Sequence, residues 1–341
     1  QIPEAEAAFI SVNPMNGAVE TYLGGLNFTK SNFDRVKQSY PQAGSSFKPF
    51  IYTSAFASGY KASDKINDAP IIFEDSNLES NWRPENYTGK FYGPIRLREA
   101  LVQSVNLVSI KLLREMGISP TKEFLSKFGF AQSRLAPDLS LALGSSSFSP
   151  AEMVRAYSIL VNSENPKNLF FIDKILDRNG DTIFDQSISK GEEYNKDSID
   201  AFPWFKTQIT KEIKPFLLLP PLSKTSEAID PRIAYITKDI LREALSRGSN
   251  AKKVGVLKRN DIAGKTGTTN NAISTWFSGF HNNLVTTVWI GTDDFSSLGD
   301  NEFGSSIALP TWVDFMEKAL PNLPNKTWKA PKGVSYVRVD K

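Results

Sequence analysis

The 341-residue sequence contains no cysteine and a single histidine, His281. A cysteine nucleophile is therefore impossible, no disulfide framework can form, and a zinc site of the usual His/Cys kind lacks ligands. His281 lies in Gly279-Phe280-His281-Asn282-Asn283, a turn-like stretch between two apolar runs. We interpret it as a solvated loop residue rather than as the base of a Ser-His-Asp triad. Serine, threonine and lysine are left as groups for nucleophilic chemistry.

The sequence also lacks a strong excess of charge and a long apolar run. Lys and Arg number 40 against 37 Asp and Glu, so the net charge is only +3. Such a balance indicates neither a nucleic-acid partner nor a charged membrane surface. No stretch reaches the roughly 18 apolar residues that a transmembrane helix needs. The chain begins at Gln1 without a signal peptide and leads directly into a strand-like segment, so we expect a piece of a longer protein.

Three short motifs carry the chemistry that remains: Ser45-Ser46-Phe47-Lys48, Ser104-Val105-Asn106 and Lys265-Thr266-Gly267-Thr268. A serine hydroxyl is a poor nucleophile unless a neighbouring base takes its proton. If Ser45 begins a helix, Lys48 lies one turn along the same face, within reach of that hydroxyl. Lys48 can act as a base only when neutral, so burial or a nearby cation must lower its pKa. Lys265, from a distant segment, would supply such a cation.

Strand-like segments occur at both ends of the chain, with helix-like segments between them. Strands are predicted at 7–12 and 18–23, which form a hairpin, and at 261–266, 274–280 and 284–292. Helices are predicted at 47–59, 95–116 (two short helices), 121–128, 150–162, 233–246 and 310–320. The predicted fold class is α/β: one central antiparallel sheet flanked by helices, plus a mainly helical subdomain, with the active site at their junction.

We expect a single domain over residues 1–341, with the sheet part in 1–60 and 233–341. The helical part and its insertions would occupy 61–232. Within it, 61–94 is interpreted as an ordered loop, and 170–184 as a small hairpin with a two-residue Asn179-Gly180 turn. Residues 191–231, with five prolines and no motif residue, are interpreted as a mobile flank that packs loosely near the site.

The residues around the motifs resemble the transpeptidase domain of class A, bifunctional penicillin-binding proteins, most closely the 1a group. The resemblance covers nearly the whole chain. It is carried by Gln42-Ala43-Gly44-Ser45-Ser46-Phe47-Lys48-Pro49-Phe50, Arg96-Leu97-Arg98-Glu99-Ala100-Leu101 before the second motif, Leu143-Gly144-Ser145-Ser146-Ser147, Gly264-Lys265-Thr266-Gly267-Thr268-Thr269, and Trp276-Phe277-Ser278-Gly279-Phe280. The resemblance implies the penicillin-recognising (β-lactamase-like) serine transpeptidase fold, with no cofactor and no metal.

The resemblance also implies a role for each motif residue. Ser45 would attack the D-Ala-D-Ala bond of a peptidoglycan stem peptide, with Lys48 as its general base. Ser104 would pass a proton to the leaving amine, and Asn106 would hold the substrate amide. Lys265 would contribute positive charge. The remaining residues of the third motif would bind substrate: the side chains of Thr266 and Thr268 its carboxylate, and the N–H groups of Ser45 and Thr268 the oxyanion, with Gly267 between them.

The implied partners are peptidoglycan stem peptides and β-lactam antibiotics, which would acylate Ser45. The implied location is the periplasmic, extracytoplasmic face of the inner membrane, with a membrane anchor and a glycosyltransferase domain elsewhere in the parent protein. Three related functions share the motifs: a serine β-lactamase, a D,D-carboxypeptidase that uses water as acceptor, and a sensor domain that binds β-lactams without turnover. The 161-residue gap between Ser104 and Lys265, and the lack of a glutamate motif for deacylation, disfavour the lactamase.

Overall fold

The computed structural model of the protein describes residues 5–71, 82–186, 217–222, 228–300 and 302–339. Its strands are β1 (Glu6–Val12), β2 (Val19–Leu23), β3 (Lys65–Asp68), β4 (Gly93–Arg96), β5 (Lys174–Leu176), β6 (Thr182–Asp185), β7 (Ala263–Thr268), β8 (Ser274–His281) and β9 (Leu284–Gly291). Its α-helices are α1 (Lys48–Ala57), α2 (Leu97–Val102), α3 (Asn106–Met116), α4 (Ile118–Leu125), α5 (Pro150–Val161), α6 (Pro231–Arg247), α7 (Ala251–Val254) and α8 (Leu309–Ala319). Among these helices none is long and apolar enough to cross a membrane.

Both ends of the chain meet in one five-stranded sheet of order β2-β1-β9-β8-β7. Every neighbouring pair is antiparallel, with Ile10 opposite Thr287 and Lys265 opposite Ser278. The predicted fold class is therefore confirmed: a central antiparallel sheet flanked by helices, with further helices between its two halves. The division into residues 1–60 with 233–341 and 61–232 stays a prediction.

The sheet is covered by helices on both faces, so its central strands are buried almost throughout. Because side chains alternate along a strand, neighbouring residues enter different apolar clusters. One cluster lies against α1 and α5 and includes Ile10, Trp276 and Phe280. The other lies against α8 and includes Phe277 and Trp312. Because helices cover both faces of these strands, their sequences are apolar at successive positions rather than at alternate ones.

Helix α1 carries the nucleophile motif into the middle of the protein. Its residues from Lys48 to Phe56 are all buried, so it has no polar face to turn toward water. An aromatic cluster surrounds its first turns: Phe47, Phe50, Phe128, Phe130, Phe148 and Tyr157, with ring centroids 4.5–5.6 Å apart. Such tilted and edge-on contacts add specific geometry to the burial of large rings. The cluster fixes the helix that bears Lys48.

Two sequence interpretations of local structure need correction. The loop predicted at 61–94 contains a short hairpin, because β3 pairs with β4. The hairpin β5–β6 does not have a two-residue turn; its connection runs over Asp177–Asp181. Asp177 Oδ1 accepts from the N–H groups of Asn179 (2.8 Å) and Asp181 (2.9 Å), so an Asx turn replaces the tight Asn-Gly turn.

The interpretation of His281 as a solvated loop residue is also wrong. His281 is fully buried at the end of β8, with Nε2 3.0 Å from the carbonyl oxygen of Pro324 and 3.4 Å from Asp261 Oδ2. Burial lowers its pKa, although Asp261 opposes the shift. β8 extends further than the apolar pattern suggested, and the segment after α8 covers it. His281 lies roughly 20 Å along the strand from Thr275, which faces the third motif, so it is no candidate base.

The segment 191–231 lies mostly outside the described residues. Where it is described, the expectation of loose packing is wrong. Leu218 is buried in the main apolar cluster, and its N–H donates to the carbonyl oxygen of Leu169 at 2.8 Å. The buried Arg155 donates to the carbonyl oxygen of Pro220 at 3.0 Å. The apolar run in this segment is therefore partly core.

The aromatic cluster gives a stability prediction. Phe50 is fully buried among four other rings, so Phe50→Ala should lower the free energy of unfolding by about 3–5 kcal/mol. Urea unfolding followed by tryptophan fluorescence measures the change. Phe28, 76% exposed, is the matched control, and Phe28→Ala should change stability by less than about 0.5 kcal/mol. Equal effects in the two variants would mean that the cluster does not stabilise α1.

Candidate active site

Ser45 lies in a tight turn that leads directly into α1. The turn is a 3-10 helix over Gly44–Phe47, and the Lys48 N–H donates to the Ser45 carbonyl oxygen. Side chains three residues apart eclipse each other in a 3-10 helix, so Ser45 and Lys48 project on the same side. Ser45 is partly exposed, whereas Lys48 is buried. The spacing of the first motif thus pairs an accessible hydroxyl with a buried amine.

The neighbouring Ser46 is not available for the same chemistry. It is fully buried, and its hydroxyl donates to the Ala43 carbonyl oxygen at 2.5 Å. Its own carbonyl oxygen accepts from the Tyr157 hydroxyl at 2.7 Å. Trp276 Nε1 donates to the Gln42 carbonyl oxygen at 2.9 Å, so the sheet also holds the turn. These bonds leave Ser45 as the accessible hydroxyl of the motif.

Two glycines let the nucleophile turn pack against a neighbouring loop. Gly44 and Gly144 both adopt positive φ, +56° and +77°, and the Gly44 N–H donates to the Gly144 carbonyl oxygen at 3.0 Å. A Cβ at position 144 would lie 2.0 Å from the Gly44 carbonyl oxygen. No side chain fits there, so the backbone of residue 144 is the wall beside Ser45.

Lys48 connects the first motif to the second. Its Nζ lies 2.7 Å from the Ser104 carbonyl oxygen, 2.6 Å from Asn106 Oδ1 and 3.3 Å from Ser104 Oγ. A neutral amine has two N–H groups, which the two short contacts can use, and the third neighbour is a hydroxyl that can itself donate. Within the described part of the chain, Lys48 makes no hydrogen bond to the Ser45 hydroxyl.

Ser104 has a backbone conformation that few side-chain-bearing residues adopt. It lies between α2 and α3 with φ +58°. This left-handed conformation is unfavourable for residues with a Cβ and persists where neighbouring structure imposes it. The break between the two helices, expected from the sequence, directs the Ser104 carbonyl oxygen at Lys48.

The two lysines of the site lie in an environment that disfavours charge. Burial lowers the pKa of Lys48 far below 10.5, and the nearby Lys265 lowers it further. Burial also lowers the pKa of Lys265, to about 7. Burial thus favours a neutral Lys48, and the positive charge of Lys265 acts in the same direction. Lys265 itself titrates near neutrality and donates to the Thr266 carbonyl oxygen at 3.0 Å.

The third motif forms the open edge of the sheet. Among the described strands β7 pairs only with β8, and a Cβ at Gly267 would lie 2.8 Å from the Ala43 carbonyl oxygen and 3.0 Å from Ser46 Cβ. The Thr269 N–H bonds to the Ser274 carbonyl oxygen on β8, and alternate residues of an antiparallel edge strand point the other way. The Thr268 N–H is therefore directed away from β8, on the side of the nucleophile turn.

The side chain of Thr268 is hydrogen-bonded to the start of a neighbouring segment. Its Oγ1 accepts from the Gly304 N–H at 3.0 Å. Gly304 follows Phe303, whose ring meets that of Tyr87 edge-on with centroids 5.4 Å apart. Tyr87 adjoins the loop that contacts Asn106. This aromatic contact joins the second-motif side of the site to the third-motif side at the rim.

Comparison with known proteins agrees with this geometry. Residues 7–293 match the family model described as the penicillin binding protein transpeptidase domain. The chain belongs to this family. It is 37% identical to penicillin-binding protein 1A of Pseudomonas aeruginosa over 100% of the chain and 43% of that protein. It is 36% identical to penicillin-binding protein 1A of Neisseria gonorrhoeae over 98% of the chain and 38% of that protein.

Solved structures show the same fold. The crystal structure of penicillin-binding protein 1A from Haemophilus influenzae superposes with a TM-score of 0.81 at 34% identity, over 97% of this chain and 50% of that one. PonA1 from Mycobacterium tuberculosis in complex with penicillin V has a TM-score of 0.75 at 24% identity, over 98% of this chain and 83% of that one. The protein thus spans less than half of the curated penicillin-binding proteins that it matches.

Of the eight residues named from the sequence, the structure joins Lys48, Ser104 and Asn106 directly. The catalytic and binding roles of all eight stay a prediction. Sequence reasoning missed two contributors. The Glu85 carbonyl oxygen accepts from Asn106 Nδ2 at 2.9 Å, and Asn86 Oδ1 accepts from the Asn106 N–H at 3.0 Å. Both lie in the stretch interpreted as loop. The only sign of these contacts in the sequence was the high Asn and Asp content of that stretch. Such a composition occurs both in turns and in residues that cap a helix, so it does not distinguish the two.

The depressed pKa of Lys48 gives a pH prediction for stability. The unfolded lysine keeps its proton up to about pH 10.4, while burial lowers the pKa of the folded lysine far below that value. Between the two pKa values the unfolded state binds more protons, so rising pH favours folding. Where the pH lies between these two pKa values, the unfolding free energy of the parent protein should therefore rise relative to Lys48→Met, by up to about 1.4 kcal/mol per pH unit.

Urea titrations at pH 7, 8 and 9 measure the difference in unfolding free energy between the parent and Lys48→Met. Contributions from titratable groups that both proteins share cancel in this difference. Lys37→Met, which removes an exposed lysine, is the control and should follow the parent slope. Parallel pH profiles for Lys48→Met and the parent would show that Lys48 is charged in the folded protein.

Proposed function

We propose that this chain is a serine-type D-Ala-D-Ala transpeptidase that cross-links peptidoglycan stem peptides through an acyl-enzyme at Ser45. The observation that carries the proposal is the position of Lys48: a buried amine, eclipsed with Ser45 and held by Ser104 and Asn106. This arrangement can take a proton from a serine hydroxyl without histidine. It agrees with membership of the penicillin-binding protein transpeptidase family.

In the acylation step, Ser45 Oγ attacks the carbonyl carbon between the two D-alanines while its proton moves to the neutral Lys48. The negative charge that develops on the carbonyl oxygen is stabilised by the N–H groups of Ser45 and Thr268. Loss of one such donor costs about 2.7–4 kcal/mol in an acyl-transfer enzyme. The C–N bond then breaks, and Ser104 passes the proton to the leaving D-alanine.

Substrate binding uses the edge of the sheet. An extended stem peptide can add alongside β7, with its terminal carboxylate near Lys265 and the hydroxyls of Thr266 and Thr268, and its amide near Asn106. A bound carboxylate favours the charged form of a lysine, so it raises the pKa of Lys265 from about 7. Lys265 then counters the carboxylate, and Lys48 stays the neutral base.

The loop beside Ser45 favours transfer to an amine over hydrolysis. It reads Gly144-Ser145-Ser146-Ser147 and carries hydroxyls but no carboxylate to activate water. Two of those hydroxyls are also occupied: Ser146 Oγ accepts from the Ala136 N–H, and Ser145 Oγ bonds to Ser140 Oγ. Slow attack by water would let an acceptor amine complete the cross-link, and would let β-lactams remain on Ser45.

The wider setting is inferred from the relatives and is part of the proposal. A domain that spans 43% of penicillin-binding protein 1A of Pseudomonas aeruginosa would work beside a glycosyltransferase domain and a membrane anchor. The site would face the periplasm, where peptidoglycan is found. PonA1, solved with penicillin V, supports β-lactams as ligands of this fold.

The acyl-enzyme is tested by mass spectrometry. Incubation with a penicillin should add one penicillin mass, and peptide mapping should locate it on Ser45. Ser45→Ala should abolish the adduct and leave the thermal melt nearly unchanged, because Ser45 is partly exposed. Ser46→Ala serves as the control and should keep the adduct. Release of D-alanine from a stem-peptide analogue, with transfer to an added amine, separates a transpeptidase from a carboxypeptidase or a sensor. An adduct on Ser46 would overturn the assignment.

The different roles of the two lysines are tested by charge-preserving substitutions. Lys48→Arg should lose nearly all penicillin acylation, because a guanidinium does not deprotonate in a protein. Lys265→Arg keeps positive charge near the substrate carboxylate and should retain part of the rate. Stopped-flow acylation rates with a fluorescent penicillin measure both. Equal losses would contradict the division into one base and one cation.

A further inference from the structure

A buried polar pair outside the three motifs reaches the second motif from a different part of the chain. Asp68, at the end of β3, is fully buried, and Asn86 is nearly so. Asn86 Nδ2 donates to both carboxylate oxygens of Asp68 at 2.9 Å and to the Lys90 carbonyl oxygen at 2.9 Å. Asn86 Oδ1 accepts from the N–H groups of Asn106 (3.0 Å) and Leu107 (3.2 Å).

These contacts supply a cap that α3 cannot make for itself. The residue before the helix is Val105, whose side chain has no acceptor, and no local side chain caps the helix. The first N–H groups of a helix have no intrahelical partner and are costly to leave buried without one. Asn86 accepts from two of them. It does so from 20 positions earlier in the chain, where a helix-capping rule applied to the sequence does not look.

We propose that Asp68 and Asn86 act as a positioning unit for catalysis: a remote cap that orients the start of α3 so that Asn106 and the Ser104 carbonyl meet Lys48. The proposal rests on the proposed function, since it concerns the base of that reaction. Neither residue touches substrate. Asp68 fixes the plane of the Asn86 amide, and Asn86 fixes the backbone of Asn106.

Asn106 connects the cap formed by Asn86 to Lys48, the proposed base. Its backbone N–H is held by Asn86, its Nδ2 by the Glu85 carbonyl oxygen, and its Oδ1 is 2.6 Å from Lys48 Nζ. Its amide is thus oriented by neighbours on two sides, with the oxygen toward the amine. A displacement of about 1 Å in a reacting group can cost about 100-fold in rate. A small rotation of α3 would move both strong acceptors of Lys48 together.

Asp68 is itself held on several sides. Its Oδ2 accepts from the Tyr92 N–H at 2.8 Å. Lys111, on α3, donates to the carbonyl oxygens of Asn67 (2.7 Å) and Ala69 (3.0 Å), the residues on either side of Asp68. The pair is therefore tied to β3 and to the body of α3. A buried amide with its donors and acceptor used, fixed by a buried carboxylate, has one orientation available.

The test separates the chemical step from binding. In the 341-residue chain, acylation by a fluorescent penicillin is measured against concentration at pH 8, which yields the limiting acylation rate and the apparent affinity separately. Asn86→Leu keeps the side-chain size but removes the cap, so the limiting rate should fall about 10- to 100-fold while affinity changes by less than about threefold. The matched control is Asn162→Leu.

Asn162 is comparable because its Nδ2 also connects separate parts of the chain, here through the carbonyl oxygens of Pro14 and Asn165, at a place remote from the motifs. Asn162→Leu should lower the melting temperature without lowering the limiting rate. A rate loss in Asn162→Leu as large as in Asn86→Leu would reduce the proposal to general destabilisation. An unchanged rate in folded Asn86→Leu would overturn it.

Exchanging the two side chains provides a rescue test that does not depend on the leucine variant folding. Asn86→Asp alone places two carboxylates against each other and should acylate slowly. Adding Asp68→Asn restores one donor and one carboxylate across the pair, and a carboxylate at position 86 still accepts from the start of α3. The double variant should be acylated at least about tenfold faster than Asn86→Asp alone. A double variant as slow as Asn86→Asp would overturn the pairing.

Two results also distinguish this proposal from the proposed function. If the parent chain forms no penicillin adduct, the proposed function fails first. If the parent is acylated on Ser45 and the Asn86 and Asp68 variants are acylated equally fast, only the positioning role fails.

Discussion

The burial of Lys48 is the constraint on which the rest of the site depends. α1 is enclosed on all sides, so its lysine is taken out of water, and within the described residues no carboxylate forms an ion pair with it. A charge buried in this way is costly, and the group becomes neutral instead. A carbonyl oxygen and an amide oxygen can accept from the two N–H groups of the neutral amine, and the Ser104 hydroxyl can donate to it. These neighbours satisfy its hydrogen bonds without restoring its charge, which keeps the amine neutral and in place.

Several features that are unfavourable in isolation occur together around this amine. Ser104 has a positive φ, the glycines at 44 and 144 leave backbone pressed against backbone, and Lys265 is a second buried lysine. Backbone strain of this kind costs about 1–3 kcal/mol per residue. The aromatic rings around Phe50 and the doubly covered sheet offset it, since burying a large apolar side chain contributes about 1.5–3 kcal/mol.

The sequence indicated those parts of the fold whose signal is local. The strand pattern around Trp276 and Trp289 and the breaks around Ser104 come from periodicity and turn residues, and the structure agrees with them. Contacts between distant segments left no such trace. The buried position of His281 depends on the segment after α8, and the role of Asn86 depends on a hairpin that brings Asp68 beside α3. An Asn in a polar stretch has the same local signature whether it caps a remote helix or closes a turn.

A further feature of the site is the position of β7 at the open edge of the sheet. An unpaired edge is usually a hazard, because it can pair with another chain. In the proposed function the same property serves recognition, since the Thr268 N–H is directed to the side where the turn of Ser45 lies and Gly267 lets that turn approach closely. Lys265 lies on this strand with a pKa near neutrality, so its charge depends on what occupies the edge. An anionic ligand would charge Lys265, and that charge would in turn hold Lys48 neutral. Binding at the edge and basicity at the helix are thereby coupled through two buried amines.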